Sequence, residues 1–135
     1  MACAALWLAA YVFESVADLQ KRRHGRSHRA QRDRVCDVGL WRYSRHPNYF
    51  GQWLQWNALV LLAAPSLASL RGEVPVPALV ALARSLAWVS YLMYSTLVYH
   101  TGAVPAEHFS RLRRPAYADY QATVNRFFPG PRRAM

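Results

Sequence analysis

The chain has 135 residues, 53% of them hydrophobic with five Trp and eight Tyr, and its 17 Lys and Arg against seven Asp and Glu give a net charge of +10. That length allows one domain, and the gathering of apolar residues into long blocks excludes an ordinary soluble core with a polar face on every helix. Two cysteines without a CxxC make no zinc ligand set, and no GxGxxG, GxxxxGKS/T, GxSxG or HExxH occurs, so zinc-site, classical dinucleotide-fold, P-loop, hydrolase and zincin readings have no local support.

Residues 1–20 read as the first helix. Only residues 1–13 are free of charge, which is short for a span, and Met1-Ala-Cys-Ala-Ala lacks the positive start of a signal peptide. The expectation is therefore the last helix of a larger membrane domain. Glu14 and Asp18 are four apart on one helix face, with Lys21 three further on. Two readings stay open for them: a solvated helix end with an ion pair, or a place to hold a cofactor ribose or cationic side chains. Residues 21–46 follow as a basic loop. The run from Lys21 to Arg34 invites a nucleic-acid reading, but it lies between hydrophobic spans and holds no aromatic residue for base stacking. Orientation signals and lipid headgroups account for it better, and no nucleic-acid partner is expected.

The second helix is placed at residues 47–70. Pro47 suits a first helical turn, and His46 before it is pushed out of helical geometry. The free N–H groups and positive dipole end of that helix then lie beside Arg42, Arg45 and His46, an arrangement that favours phosphate. Within the helix Asn48, Gln52 and Gln55 form one polar stripe, and Tyr49, Trp53 and Trp56 form an aromatic stripe beside it. Amides facing lipid are costly, so the polar stripe faces a cavity or another helix: a functional site, or hydrogen bonds that join the bundle. Gly51 permits close approach of a flat ligand or another backbone, and Pro65 marks a kink.

The third helix covers residues 76–100, where the stretch 78–99 is interrupted only by Arg84, three Ser and one Thr. It matches the roughly 20 apolar residues that cross a bilayer, and Arg84 snorkels to the outer interface. Nine of the basic residues lie in 21–45 and six from Arg111 onward. Three crossings put both blocks on one side, which the positive-inside rule makes cytoplasmic. Cys3 and Cys36 then fall on opposite faces, and no disulfide joins them. Residues 101–135 form a cytoplasmic tail, with a short amphipathic helix from Pro115 carrying Tyr117, Tyr120 and Val124 on one face. The fold class is thus all-α: a polytopic membrane helical bundle of about three transmembrane helices with a short C-terminal helix. Its location is multi-pass integral membrane, in the endoplasmic reticulum of a eukaryote or the inner membrane of a bacterium.

Four blocks carry a family resemblance: Glu14-Ser-Val-Ala-Asp-Leu-Gln-Lys21, Asp37-Val-Gly-Leu-Trp-Arg-Tyr-Ser-Arg-His-Pro-Asn-Tyr-Phe-Gly51, Gly102-Ala-Val-Pro-Ala-Glu107, and Tyr117-Ala-Asp-Tyr-Gln with Arg126-Phe-Phe-Pro129. Together they resemble the DUF1295 family, related to the C-terminal half of steroid 5-alpha-reductases and sterol reductases. The resemblance implies the C-terminal part of a larger reductase fold, passing hydride from NADPH to a carbon–carbon double bond of a steroid, fatty-acyl chain or other lipid. It also implies that Asp18, Arg42, Arg45, His46, Asn48, Tyr49, Glu107 and Tyr120 line or support the NADPH site, with Gln52 offering an amide where the family commonly has Glu. No catalytic residue is assigned. The Arg-His-Pro-x-Tyr-x-Gly block is also similar to isoprenylcysteine-type and phospholipid methyltransferases that use S-adenosylmethionine. Those usually carry paired glutamates after the last helix, where this chain has only Glu107. A third reading is a non-catalytic membrane remnant lacking upstream catalytic helices.

Overall fold

The computed structural model describes residues 2–28 and 34–134, and its regular elements are all helical: α1 (Ala2–Ser27), a 3-10 turn (Gly39–Arg42), α2 (Pro47–Ser69), α3 (Val76–Ser95), a π-helical turn (Thr96–His100), α4 (Ala103–Arg113) and α5 (Tyr117–Thr123). The expected basic loop at residues 21–46 begins later than its sequence suggests, because α1 carries on through Lys21 to Ser27. Lys and Arg are good helix formers, and the Lys21 ammonium lies 4.4 Å from the Trp41 ring, which ties the start of this largely exposed end of α1 to the connection. The part of the basic run at 29–33 lies outside the described residues.

α1 and α2 pack closely at Gly51, where a Cβ would lie 3.0 Å from both the Cβ and the backbone N of Glu14. Of the two partners Gly51 permits, a flat ligand or another backbone, the fold supplies the backbone of α1. Phe13 meets Phe50 edge-on on the same seam. The connection is pinned to α1 twice: Trp41 donates its indole N–H to the Ala17 carbonyl at 2.8 Å, and the Leu40 N–H donates to Gln20 Oε1 at 2.9 Å. Gly39, at φ +57, makes the turn that lets the chain approach Gln20. Pro47 starts α2, as expected, after a His46 with extended φ of −138°. Pro65 sits inside α2 rather than ending it.

Mid-helix polar groups tie α2 to α3. Trp53 donates to the Ser90 carbonyl at 3.1 Å, and Ser90 Oγ donates to Asn57 Oδ1 at 2.7 Å. The end of α3 widens into the π turn, which buries Val98, and Gly102 turns the chain beneath it. Any Cβ at Gly102 would stand 1.8 Å from the Leu97 carbonyl oxygen, so only glycine fits. α4, α5 and the tail then return to the start of α2: Arg45 N–H donates to the Asn125 carbonyl at 2.8 Å, Ser44 Oγ to the Phe127 carbonyl at 2.9 Å, and Gly130 N–H to the Tyr43 carbonyl at 3.0 Å. The connection and the tail, each rich in arginine, therefore share one end of the bundle.

Two helical stretches are long and apolar enough to cross a membrane, Ala2–Ser27 and Val76–Arg113. The side chains of the second are largely unburied, with Trp88 60% and Tyr91 58% exposed. Outward-facing apolar rings on a long helix fit a lipid environment.

Candidate functional site

The loop end of the bundle is organised by one buried carboxylate. Glu107, only 3% exposed, is delivered by α4, and Arg45 and His46 come from the residues just before α2. Arg45 Nε donates to Glu107 Oε1 at 2.7 Å and its Nη2 to Oε2 at 3.3 Å, the forked geometry that suits guanidinium and carboxylate. Its remaining terminal nitrogen donates to the carbonyls of Val124 at 3.0 Å and Gln121. Gln121 Nε2 and Arg126 Nε approach Oε2 at 2.9 and 3.4 Å. The guanidinium read from sequence as a phosphate fork is thus turned inward and committed to protein acceptors.

His46 shares this knot. Its Nε2 lies 3.2 Å from Glu107 Oε1, its backbone N–H donates to Ser44 Oγ at 3.1 Å, and its ring stacks on Tyr49 at 5.3 Å. Burial lowers the His46 pKa, outweighing the Glu107 hydrogen bond that favours the charged form. The imidazole is therefore neutral at pH 7, with the proton on Nε2 directed at the carboxylate. Tyr120 donates its hydroxyl to the Trp41 carbonyl at 2.5 Å, and burial raises its pKa. Tyr117 is pushed up to about 12, by burial first and by the Glu107 charge next. Both phenols stay protonated: Tyr120 ties α5 to the turn at Trp41, and Tyr117 packs beside Tyr120 and Val124.

The remaining sequence-predicted residues are placed differently. Asp18 borders an open hollow of about 410 Å³ together with Lys21 and Arg22. Arg42 is exposed, and its carbonyl accepts from Arg132 at 3.5 Å. In the polar stripe, Gln55 donates to Glu14 of α1, so that position joins helices. Asn48 Oδ1 is buried without a hydrogen-bond partner, and Gln52 has none among the described residues. The register set by Gly51 and Glu14 brings Asn48 level with the Asp18 turn across the helix pair. Lys21 was read from sequence only as an ion-pair partner of Asp18, and Arg22 was passed over because it stood in a charged run assigned to loop. Gln121 and Arg126 carried no spacing signal toward Glu107, which only the folded tail brings near.

Cys3 and Cys36 are both free thiols, and burial raises the Cys36 pKa, which disfavours its thiolate. Among the described residues no group of His, Cys, Asp and Glu is arranged to hold a metal ion.

A family model described as a protein of unknown function, DUF1295, matches residues 1–124, and the chain belongs to that family. No curated protein and no solved structure matches it.

Proposed function

We propose that this DUF1295 protein is the cofactor-holding C-terminal part of a membrane-embedded oxidoreductase that uses NADPH to reduce a carbon–carbon double bond in a steroid, fatty-acyl or related lipid. In this reading α2 crosses the bilayer beside α1 and the stretch from Val76, three spans in all, with both basic blocks on the cytoplasmic side. The observation that carries the reading is the hollow at the loop end of α1, where Lys21 and Arg22 flank Asp18. Two cations there suit phosphate, and one carboxylate suits a ribose hydroxyl.

These residues fit the cofactor in a form that differs from the sequence expectation. Lys21 and Arg22, with the exposed Arg42 at the same end, would hold phosphates, and Asp18 a ribose. Asn48 Oδ1, buried and unpartnered, accepts a hydrogen bond from a ligand amide or hydroxyl. When bound, NADPH supplies the hydride. Arg45, His46, Glu107 and Tyr120 act one layer behind: they fix the tail against the start of α2, and so set the position of Asn48 and Tyr49. The unburied flanks of α1 and α3 give a lipid substrate access from the bilayer side.

The test is thermal unfolding of the detergent-purified chain with NADPH or S-adenosylmethionine. NADPH is expected to raise Tm, and Lys21→Gln with Arg22→Gln to abolish the rise. Stabilisation by S-adenosylmethionine alone would transfer the chain to the isoprenylcysteine-type or phospholipid methyltransferases. No response to either would leave the non-catalytic membrane remnant as the better account.

A further inference from the structure

A second hollow, of about 360 Å³, lies where the end of α3 meets the returning tail. Its walls are aromatic: Tyr94 and Tyr99 from the α3 end, and Phe127 and Phe128 from the tail. Tyr94 meets Phe127 edge-on at 5.2 Å and lies nearly parallel to Phe128 at 6.0 Å, so the walls are held by ring packing. Two arginines border it, Arg126 and Arg133.

Neither cation is fully committed to protein partners. The Arg126 side chain is 44% exposed, and its one ion pair among the described residues is to the far oxygen of Glu107 at 3.4 Å, a carboxylate already engaged by Arg45 at 2.7 Å. Arg133 is exposed and donates to the neutral Asn125 Oδ1 at 3.2 Å, with no carboxylate within ion-pair distance among the described residues. Phe128 and Tyr99 are 52% and 54% exposed, which leaves apolar ring surface open at the rim of the hollow. Cations over a half-open aromatic pocket, at the end of an apolar helix of membrane-crossing length, match the chemistry of a lipid interface: anionic above and apolar below.

We propose that this hollow binds the headgroup of an anionic phospholipid, with its phosphate held by Arg126 and Arg133 and its glycerol and upper acyl carbons against Phe128 and Tyr99. The site is separate from the Asp18 hollow and does not rest on the NADPH reading. A soluble phosphate compound shares the anionic half of this chemistry, but the exposed aromatic walls favour the lipid.

The experiment titrates the detergent-solubilised chain with dihexanoyl phosphatidylglycerol, dihexanoyl phosphatidylcholine and inorganic phosphate, read by thermal shift and by Trp fluorescence, since Trp53 lies 5.7 Å from Phe128. Phosphatidylglycerol is expected to stabilise the chain, with affinity falling about fivefold in Arg133→Gln and about thirtyfold in the Arg126→Gln/Arg133→Gln double variant, from the strength of a basic residue at an anionic lipid surface. Arg133→Gln removes only a contact to Asn125, so it separates loss of lipid binding from disturbance of the Glu107 knot. Arg71→Gln, at the opposite end of α2, is expected to leave the phosphatidylglycerol affinity unchanged. Equal stabilisation by phosphatidylcholine, a full effect from inorganic phosphate alone, an unaltered Arg133→Gln, or loss in Arg71→Gln would each overturn the proposal.

Discussion

Removing the Glu107 carboxylate strands a buried guanidinium. In Glu107→Ala, Arg45 keeps its bonds to the Val124 and Gln121 carbonyls but loses both carboxylate contacts, and the neutral His46 loses its acceptor. Breaking a buried pair by deleting one partner costs roughly 3–5 kcal/mol, and the surviving carbonyl bonds place this case at the lower end, about 3 kcal/mol. For a chain of this size that is a fall in Tm of about 10 °C. Thermal unfolding in detergent measures it. The Arg45→Met/Glu107→Leu double variant replaces the pair by apolar side chains, and its loss is expected to be well below the sum of the two single substitutions. Additive single effects, each under about 1 kcal/mol, would show that the two groups do not depend on each other and would refute the view of Glu107 as the anchor of the tail.

Acid should loosen the same knot. Burial lowers the folded-state pKa of His46 below its ordinary 6.5, so the unfolded chain binds the proton more readily, and the stabilising contribution, full above pH 6.5, fades as pH falls below it. The decline in Tm from pH 8 to pH 5 is expected to be shallower in His46→Gln, and an unchanged slope would count against a neutral buried imidazole. Gly51→Ala places a methyl 3.0 Å from the Glu14 backbone, and the resulting separation of α1 from α2 is expected to cost about 1–3 kcal/mol in thermal unfolding. Gly102→Ala meets the Leu97 carbonyl at 1.8 Å; limited proteolysis is expected to cut its tail faster than that of the wild type, and equal rates would show the turn tolerates a side chain.

The helices at residues 47–70 and 76–100 were legible because proline at a first turn and a long apolar run are local signals. The boundary of α1 was not, since a polar run reads as loop until the Lys21 ammonium is seen to sit over the Trp41 ring. Likewise Arg45, His46 and Glu107 stood out by residue type, yet sequence gives no direction to a side chain. The Arg45 fork turns inward because the tail returns its carbonyls and carboxylate from about 60 to 80 positions away, and such long-range pairing leaves no periodic trace. Asn48 differs: its place on a polar stripe is a local pattern, and the structure leaves its Oδ1 buried and without a partner.

The most direct measurement is a calorimetric titration of NADPH into the detergent-solubilised chain, with Arg22→Gln as the comparison. The account predicts saturable binding that weakens with salt and falls about tenfold in the variant, the loss of one charge-assisted phosphate contact. Binding that is indifferent to Arg22, or absent from a chain shown to be folded, would contradict it.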